Sequence, residues 1–246
     1  MVPGSNPGRR TNPRLRLPAA QPYNDPAPGR QMPEQRPGRL RSRRELEIFV
    51  ESLPAFRRPK LRLEQYPTDA AAVATAVWDA YMRGLLGDVL DLGCGTGRFA
   101  LAAAAMGARH VLCVDIDHEA LAVAREAARR LGLDSVDLLA ADVRMLGLRK
   151  VFDAAFQNPP FGIWSGRGTD IAFLASALRH AGTVYTMHKL PTLDYVREVV
   201  ERWGSRLELL DTAVVSIKPM YKHHRKRVHR VGVFIARVVR GAAPAG

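Results

Sequence analysis

The chain has 246 residues and a mass of 27.2 kDa, enough for one full domain, or one and a half. Hydrophobic residues make up 47% and charged residues 25%, which excludes a disordered chain, a collagen or a coiled coil for the bulk of the sequence. No apolar run approaches ~18 residues, so no membrane span is expected. The two cysteines, Cys94 and Cys113, exclude a disulfide scaffold and an all-cysteine metal cage, and they are compatible with a reducing cytoplasm. The net charge of +13 suggests nucleic acid, a ribosomal context or an acidic surface as partner.

That charge is uneven. Residues 1–44 hold ten arginines against Asp25 and Glu34, a net +8, and the rest of the chain carries +5. Nine of the 17 prolines also fall in the first forty residues, with almost no periodic apolar pattern. Such a segment cannot bury enough apolar surface to offset chain entropy. Residues 1–40 therefore read as a disordered basic tail, 41–240 as one domain and 241–246 as a short C-terminal tail. No apolar stretch follows Arg9-Arg10, so a twin-arginine signal is not expected. The prolines oppose an amphipathic transit peptide. Met32 offers an alternative start, which would make residues 1–31 an upstream extension.

From Arg43, Leu46, Phe49, Val50 and Leu53 recur at helical spacing until Pro54. A second helix opens at Pro67 or Thr68 and fills Ala70 to Met82. Strand and helix then alternate. Strands are predicted at 88–92, 110–115, 136–140, 151–156 and 183–187. Helices are predicted at 98–106, up to Leu131 from an Asp117 cap, at 170–180, and from Pro191 to near Gly204. Two final strands, 207–217 and 228–239, are joined by a basic stretch too long for a tight hairpin turn. The pattern predicts an α/β fold: a mostly parallel seven-stranded sheet with helices on both faces and an antiparallel pair at one edge.

Asp91-Leu92-Gly93-Cys94-Gly95-Thr96-Gly97 joins the first strand to the helix after it. Glycines let the backbone turn sharply and approach a ligand, and the helix N-terminus favours a carboxylate or phosphate. Asp115 lies 22 residues after Gly93 at a strand end, where an acid accepts hydrogen bonds from a ribose diol. The spacing G-x-G-x-G departs from the dinucleotide fingerprint G-x-G-x-x-G. Led by an acid, it is the form used for S-adenosylmethionine. Asp91, Gly93, Cys94, Gly95 and Gly97 would then form the cradle. Asp115 and Ile116 would meet the ribose and adenine, with Asp142 and Val143 at the adenine amine. A plain βα turn, with Asp142 as a helix cap, is the bland alternative.

Asn158-Pro159-Pro160-Phe161 follows the fourth strand, at the sheet end where open α/β folds bind ligands. The prolines stiffen the loop, and Asn158 and the Pro159 carbonyl offer two acceptors. An exocyclic amine conjugated to a ring has little free lone pair. Two acceptors on its N–H groups help it pyramidalise and attack a sulfonium methyl, with Phe161 stacking on a planar substrate such as a flipped base. The alternative is a proline-stiffened turn with Phe161 as core.

Lys218 to Arg230 carries six basic residues and no acid. Lys218, Tyr221, Lys222, His223, His224, Arg225, Lys226 and Arg227 read as an RNA phosphate-binding edge, against the alternative of a solvated hairpin. These histidines lack carboxylate or thiolate partners, so no metal site is expected. His188 and Lys189 follow the strand 183–187 and could contact substrate or simply end that strand. Trp164 could cover the substrate pocket, and Trp78 reads as core. Cys94 and Cys113 read as small buried residues rather than nucleophiles.

The motifs together resemble one family. The segments Glu-Gln-Tyr-Pro-Thr at 64–68, Asp-Leu-Gly-Cys-Gly at 91–95 and Val-Asp-Ile-Asp at 114–117 match it. So do Asn-Pro-Pro-Phe-Gly at 158–162, Gly-Thr-Asp-Ile-Ala-Phe-Leu at 168–174 and Tyr-Lys-His-His-Arg-Lys-Arg at 221–227. Over about 43–240 the chain resembles the methyltransferase-like protein 5 family and its archaeal relatives. The resemblance implies a Rossmann-like class I methyltransferase that methylates N6 of an adenosine in small-subunit ribosomal RNA. It implies Gln65, Tyr66 and Thr68 near the cofactor, and a small zinc-binding activator subunit as partner. The loop Ile163-Trp164-Ser165-Gly166-Arg167 departs from the polar, lysine-bearing loop of the eukaryotic members, and the N-terminal tail has no family counterpart. Three other functions compete. A protein glutamine N5-methyltransferase would also use an Asn-Pro-Pro-aromatic loop, though the basic edge opposes it. A guanine-N2 RNA enzyme would be separated by nucleoside analysis. A non-catalytic RNA-binding assembly factor is opposed by the intact Asp115, Asn158 and Phe161.

Overall fold

A computed structural model of the chain describes residues 40–217 and 229–241. Lys218, Tyr221, Lys222, His223, His224, Arg225, Lys226 and Arg227 lie outside the described residues, as do the tail 1–39 and residues 242–246.

Seven strands form one sheet: β1 (Asp88–Leu92), β2 (His110–Asp115), β3 (Val136–Ala140), β4 (Phe152–Gln157), β5 (Ala181–Lys189), β6 (Arg206–Ile217) and β7 (His229–Val239). Their order is β3-β2-β1-β4-β5-β7-β6. The pairs β2–β3, β1–β2, β1–β4 and β4–β5 are parallel. β7 is antiparallel to both β5 and β6, so the reversed strand is inserted just inside the β6 edge. The expected antiparallel pair is therefore present, and the expected sheet with it.

Among the described residues six α-helices cover the sheet: α1 (Arg43–Glu51), α2 (Ala70–Met82), α3 (Arg98–Ala105), α4 (His118–Leu131), α5 (Thr169–His180) and α6 (Leu193–Arg202). Apolar residues of α1 to α4 pack in one buried cluster, and those of α5 and α6 in a second. β1 contributes to both clusters, Val89 to one and Leu90 and Leu92 to the other. A central parallel strand is thus buried on both faces, with Asp91 the buried polar exception within β1. No helix among the described residues is long and apolar enough to cross a membrane.

Local chemistry sets the boundaries. Asp117 caps α4, accepting from the Glu119 N–H at 3.1 Å, and Gly132 ends it at φ +64°. The cap of α2 is Asp69, which accepts from the Ala72 N–H at 3.1 Å, rather than the expected Pro67 or Thr68. Pro191 sits in a short 3₁₀ turn that precedes α6. The strand order reverses between β1 and β4, which opens a crevice beyond their carboxyl ends.

Candidate active site

A cavity of about 230 Å³ lies at that crevice. Gly93, Cys94 and Gly95 of the turn after β1 line it, with Asp115 and Ile116 after β2, Asp142 and Val143 after β3, and Asn158 and Pro160 after β4. Gln65, Tyr66 and Thr68 line it from the segment before α2. The turn approaches its cover closely. A Cβ at Gly95 (φ +55°) would stand 2.6 Å from the Phe56 ring, and one at Gly93 (φ +68°) 2.9 Å from the Phe173 ring. Only glycine fits at either position.

Asp115 is 8% exposed. It accepts from the Gly95 N–H and the Asp117 N–H, each at 2.8 Å. Each carboxylate oxygen keeps further lone-pair capacity toward the cavity. Burial pushes the Asp115 carboxyl above its ordinary pKa, against the pull of those N–H groups.

The cover over this pocket is a strap, residues 56–68, that the sequence motifs mark only in part. Lys60 pairs with Asp117 at 2.6 Å, and the Gln65 amide donates to Asp117 at 2.7 Å. Burial alone would raise the Asp117 carboxyl, but Gln65 and Lys60 outweigh it and hold the group below the ordinary carboxylate range. At the other end, the Arg98 guanidinium donates to the Thr68 carbonyl at 2.7 Å. Between them Glu64, 9% exposed, reaches the loop after β4 and accepts from the Phe161 N–H at 2.6 Å. Phe56, Glu64, Arg98 and Phe173 all line the cavity without having been expected there. Only the Glu-Gln-Tyr-Pro-Thr segment carried a signal for Glu64, and the tertiary bonds that give it a role are long-range.

Asn158 is held by a bond from its Nδ2 to Thr68 Oγ1 at 3.2 Å. Its Oδ1 is buried without a partner. The Tyr66 hydroxyl lies beside Asn158, short of hydrogen-bond geometry, and is likewise buried and unpartnered. Burial holds the Tyr66 phenol protonated far above its ordinary range. An unmade bond on a buried polar atom costs about 1–3 kcal/mol. Two such atoms at one cavity mark a place for a polar ligand.

Several expected residues stand elsewhere. Asp91 is 1% exposed and does not line the cavity; it accepts from the Ala100 N–H at 2.9 Å and so ties β1 to α3. Burial pushes its carboxyl up to about 8. Gly97, at φ +84°, is the residue preceding α3, also outside the cavity lining. Pro159 is buried behind the loop. Phe161 is 5% exposed and packs against Tyr66, with ring centroids 5.8 Å apart. It is a core wall here rather than a stacking face. Asp142 lines the cavity, but Arg144 engages both its oxygens, at 3.0 and 2.6 Å, so an adenine amine would share it with that guanidinium. The expectation that His188 touches RNA is overturned. The ring is fully buried, stacked on Phe234, with Nδ1 3.1 Å from Asp170 and Nε2 2.9 Å from Thr186. Lys189 ends β5 half-buried. Cys94 and Cys113 are buried as expected, but they are joined in a disulfide, Cα to Cα 5.6 Å, that pins the glycine turn to β2.

The glycine cradle, the strand-end acid with spare acceptor capacity and the unpartnered Asn158 oxygen fit a nucleoside-bearing methyl donor. A family model, "Methyltransferase domain", matches residues 89–182. The chain is 34% identical over 206 residues to protein MJ0284 of Methanocaldococcus jannaschii, which spans 80% of this chain and 93% of that protein. It is 34% identical to the rRNA N6-adenosine-methyltransferase Mettl5 of Drosophila melanogaster, across 75% of this chain and 90% of that protein. Among solved structures, PH1948 of Pyrococcus horikoshii, a proposed RNA methyltransferase, superposes with a TM-score of 0.73 at 29% identity, covering 82% of this chain and 98% of that one. With this identity held over nearly the whole length of these relatives, the chain belongs to the methyltransferase-like protein 5 family.

Proposed function

We propose that the protein is an S-adenosylmethionine-dependent RNA methyltransferase that methylates N6 of an adenosine in small-subunit ribosomal RNA. The single observation that carries the reading is the Asn158 amide. Its Nδ2 is committed to Thr68, which leaves Oδ1 as a buried, unpartnered acceptor at the cavity. That is the group an exocyclic N–H needs. The names of the relatives support ribosomal RNA and adenine N6 over the alternatives.

The donor, when bound, supplies an electrophilic methyl on a sulfonium. Gly93, Cys94 and Gly95 would cradle its aminoacyl end, Asp115 would accept from the ribose hydroxyls, and Ile116, Asp142 and Val143 would surround the adenine. Asn158 Oδ1 would accept an N–H bond of the target amine and favour its pyramidal, nucleophilic form. The neutral Tyr66 hydroxyl beside Asn158 would keep its proton and so remain able to donate. Catalysis is then positioning and electrostatics, with no obligate strong base.

The RNA itself needs charge at the cavity mouth. Lys189 of β5 pairs with Val233 of β7, and β6 ends at Ile217 opposite His229. The end of β6 and the start of β7 therefore lie at the same end of the sheet as the cavity. The basic residues of the segment 218–228 are proposed to meet the RNA backbone. A small activator subunit is proposed at β3, an outer strand of the sheet. Co-expression with such a subunit, followed by size-exclusion chromatography, tests it: separate elution of the two chains refutes it. With ribosomal RNA as substrate, the cytoplasm is the proposed compartment.

Nucleoside mass spectrometry of small-subunit RNA from a strain lacking the gene tests the function. One N6-methyladenosine should vanish, return with the wild-type gene, and stay absent with Asn158→Ala, whose rate should fall by about 10²–10³. An unchanged RNA profile, with methyl transfer to glutamine peptides instead, refutes the reading.

A further inference from the structure

Trp164 is 62% exposed and Ile163 is 55% exposed, on the loop between β4 and α5. Leaving an indole in water forgoes the burial that large apolar side chains ordinarily gain. A loosely held loop would explain it, but this loop is tied down. Glu64 accepts from the Trp164 N–H at 2.8 Å, the Ser165 N–H at 3.0 Å and the Ser165 hydroxyl at 2.9 Å, besides the Phe161 N–H. The Thr169 hydroxyl donates to the Ser165 carbonyl at 3.1 Å from the far side. Glu64 itself is the one non-glycine residue at positive φ (+51°) among the described residues, a conformation that costs about 1–2 kcal/mol. A buried carboxylate in a strained conformation thus fixes the backbone under a ring that is left in solvent.

The position of that ring is informative. Ser165, next to it in the chain, lines the cavity that also holds Asn158, as does Thr169. Arg62 and Arg167 are exposed on the two segments that Glu64 joins. A flat aromatic surface with flanking cations at the mouth of a nucleobase pocket matches single-stranded nucleic acid, whose bases stack and whose phosphates seek guanidinium groups.

We propose that Trp164 is a second nucleobase site, which stacks on the base adjoining the target adenosine in single-stranded RNA, with Glu64 as the positioning residue that holds this platform. Arg62 and Arg167 meet the adjoining phosphates. The assignment rests on the RNA-methyltransferase reading and adds a flanking-base subsite to it. A base extruded into the cavity leaves its neighbours at the rim, unstacked on one side. The indole replaces the missing stacking partner there. The buried Phe161 cannot do so, because its ring is already packed against Tyr66.

The test is direct binding of the full chain to a short single-stranded RNA bearing one adenosine, read by fluorescence anisotropy at fixed salt. The same RNA with abasic sites on both sides of the adenosine is the second probe. Trp164→Ala should weaken binding to the intact RNA between about fivefold and a hundredfold, and Trp164→Phe should keep most of it. The abasic RNA should bind wild type weakly, and Trp164→Ala should lose nothing further on it. Glu64→Gln should raise KM for RNA in the same direction. The Kd for S-adenosylmethionine should stay within twofold in the Trp164 variants, which a general loss of structure would not allow. Equal binding of both RNAs by wild type overturns the subsite, as does a Trp164→Ala variant that binds like wild type. If wild type still methylates RNA in that case, the functional reading stands alone. If wild type neither binds nor methylates RNA, both readings fall together. Loss of a dimer in Trp164→Ala, with RNA binding intact, overturns the site in favour of a second copy of this chain.

Discussion

Asp91 shows how one buried carboxylate sets a pH response. Folding raises its pKa from 3.8 to about 8, chiefly because burial penalises the charge, with the nearby Asp115 adding to it. An acid raised in this way holds its proton more tightly folded than unfolded. Its contribution is complete below the unfolded value and is lost as pH climbs through the folded one. Stability should therefore decline between about pH 4 and pH 8. Asp117, Asp142 and Asp170, all lowered, act only at the acid end, below that window. Asp91→Asn keeps an oxygen for the Ala100 N–H and removes the titration. Thermal unfolding should show the wild-type Tm falling more from pH 5.5 to 8.5 than that of the variant. Parallel curves would mean that the carboxyl is ionised throughout. The residue scale also marks the limits of sequence reading. Asp115 and Asn158 were legible because the carboxyl ends of the parallel strands β2 and β4 face the ligand edge. His188 also ends a strand, yet it is buried. A two-residue alternation cannot say which strand-end side chain folds under its neighbours.

At the scale of elements, helix α2 carries the strap, and a charged contact fixes it to the sheet. Asp79 of α2 accepts from the Tyr185 hydroxyl of β5 at 2.8 Å and pairs with Arg237 of β7 at 2.7 Å. Arg237 is 6% exposed and also pairs with Glu208 of β6. Removing one partner of a buried pair leaves a desolvated charge behind. Asp79→Ala should thus cost roughly 2–4 kcal/mol, tempered by the remaining Glu208. For a domain of this size that is roughly 5–15 °C in Tm, read by calorimetry. A shift under about 2 °C would show that the pair adds nothing. None of this was visible in the sequence, where Asp79 and Arg237 stand 158 residues apart. The helices themselves were legible, because caps such as Asp117 and stops such as Gly132 act within one turn. The placement of α1 and α2 was not. It depends on burial against α3 and the sheet, which local periodicity does not encode.

At the scale of the whole molecule, strand order and charge decide how a large anionic substrate is met. The sheet reverses at β1 and β4, so the cavity opens at one end, and β6 ends and β7 begins at that same end. The alternation of strands and helices made this layered arrangement legible, while the insertion of β7 between β5 and β6 settles which strand is the edge. The first 40 residues add seven arginines against two acids, so their removal lowers the formal charge from +13 to +8. The cavity lining begins at Phe56 and ends at Phe173. A chain starting at residue 41 should therefore bind S-adenosylmethionine with an unchanged Kd. RNA affinity is different, because each phosphate neutralised releases counterions and steepens the dependence on salt. If the tail meets RNA, the truncated chain should bind more weakly at low salt. Its plot of log K against log salt should then be shallower by about 0.7 for each single-strand phosphate that the tail neutralises. The two proteins would converge at high salt, where the electrostatic contribution is screened. Identical slopes would leave the tail without a part in binding. The basic stretch 218–227 and the arginines around Trp164 would then carry the electrostatics alone.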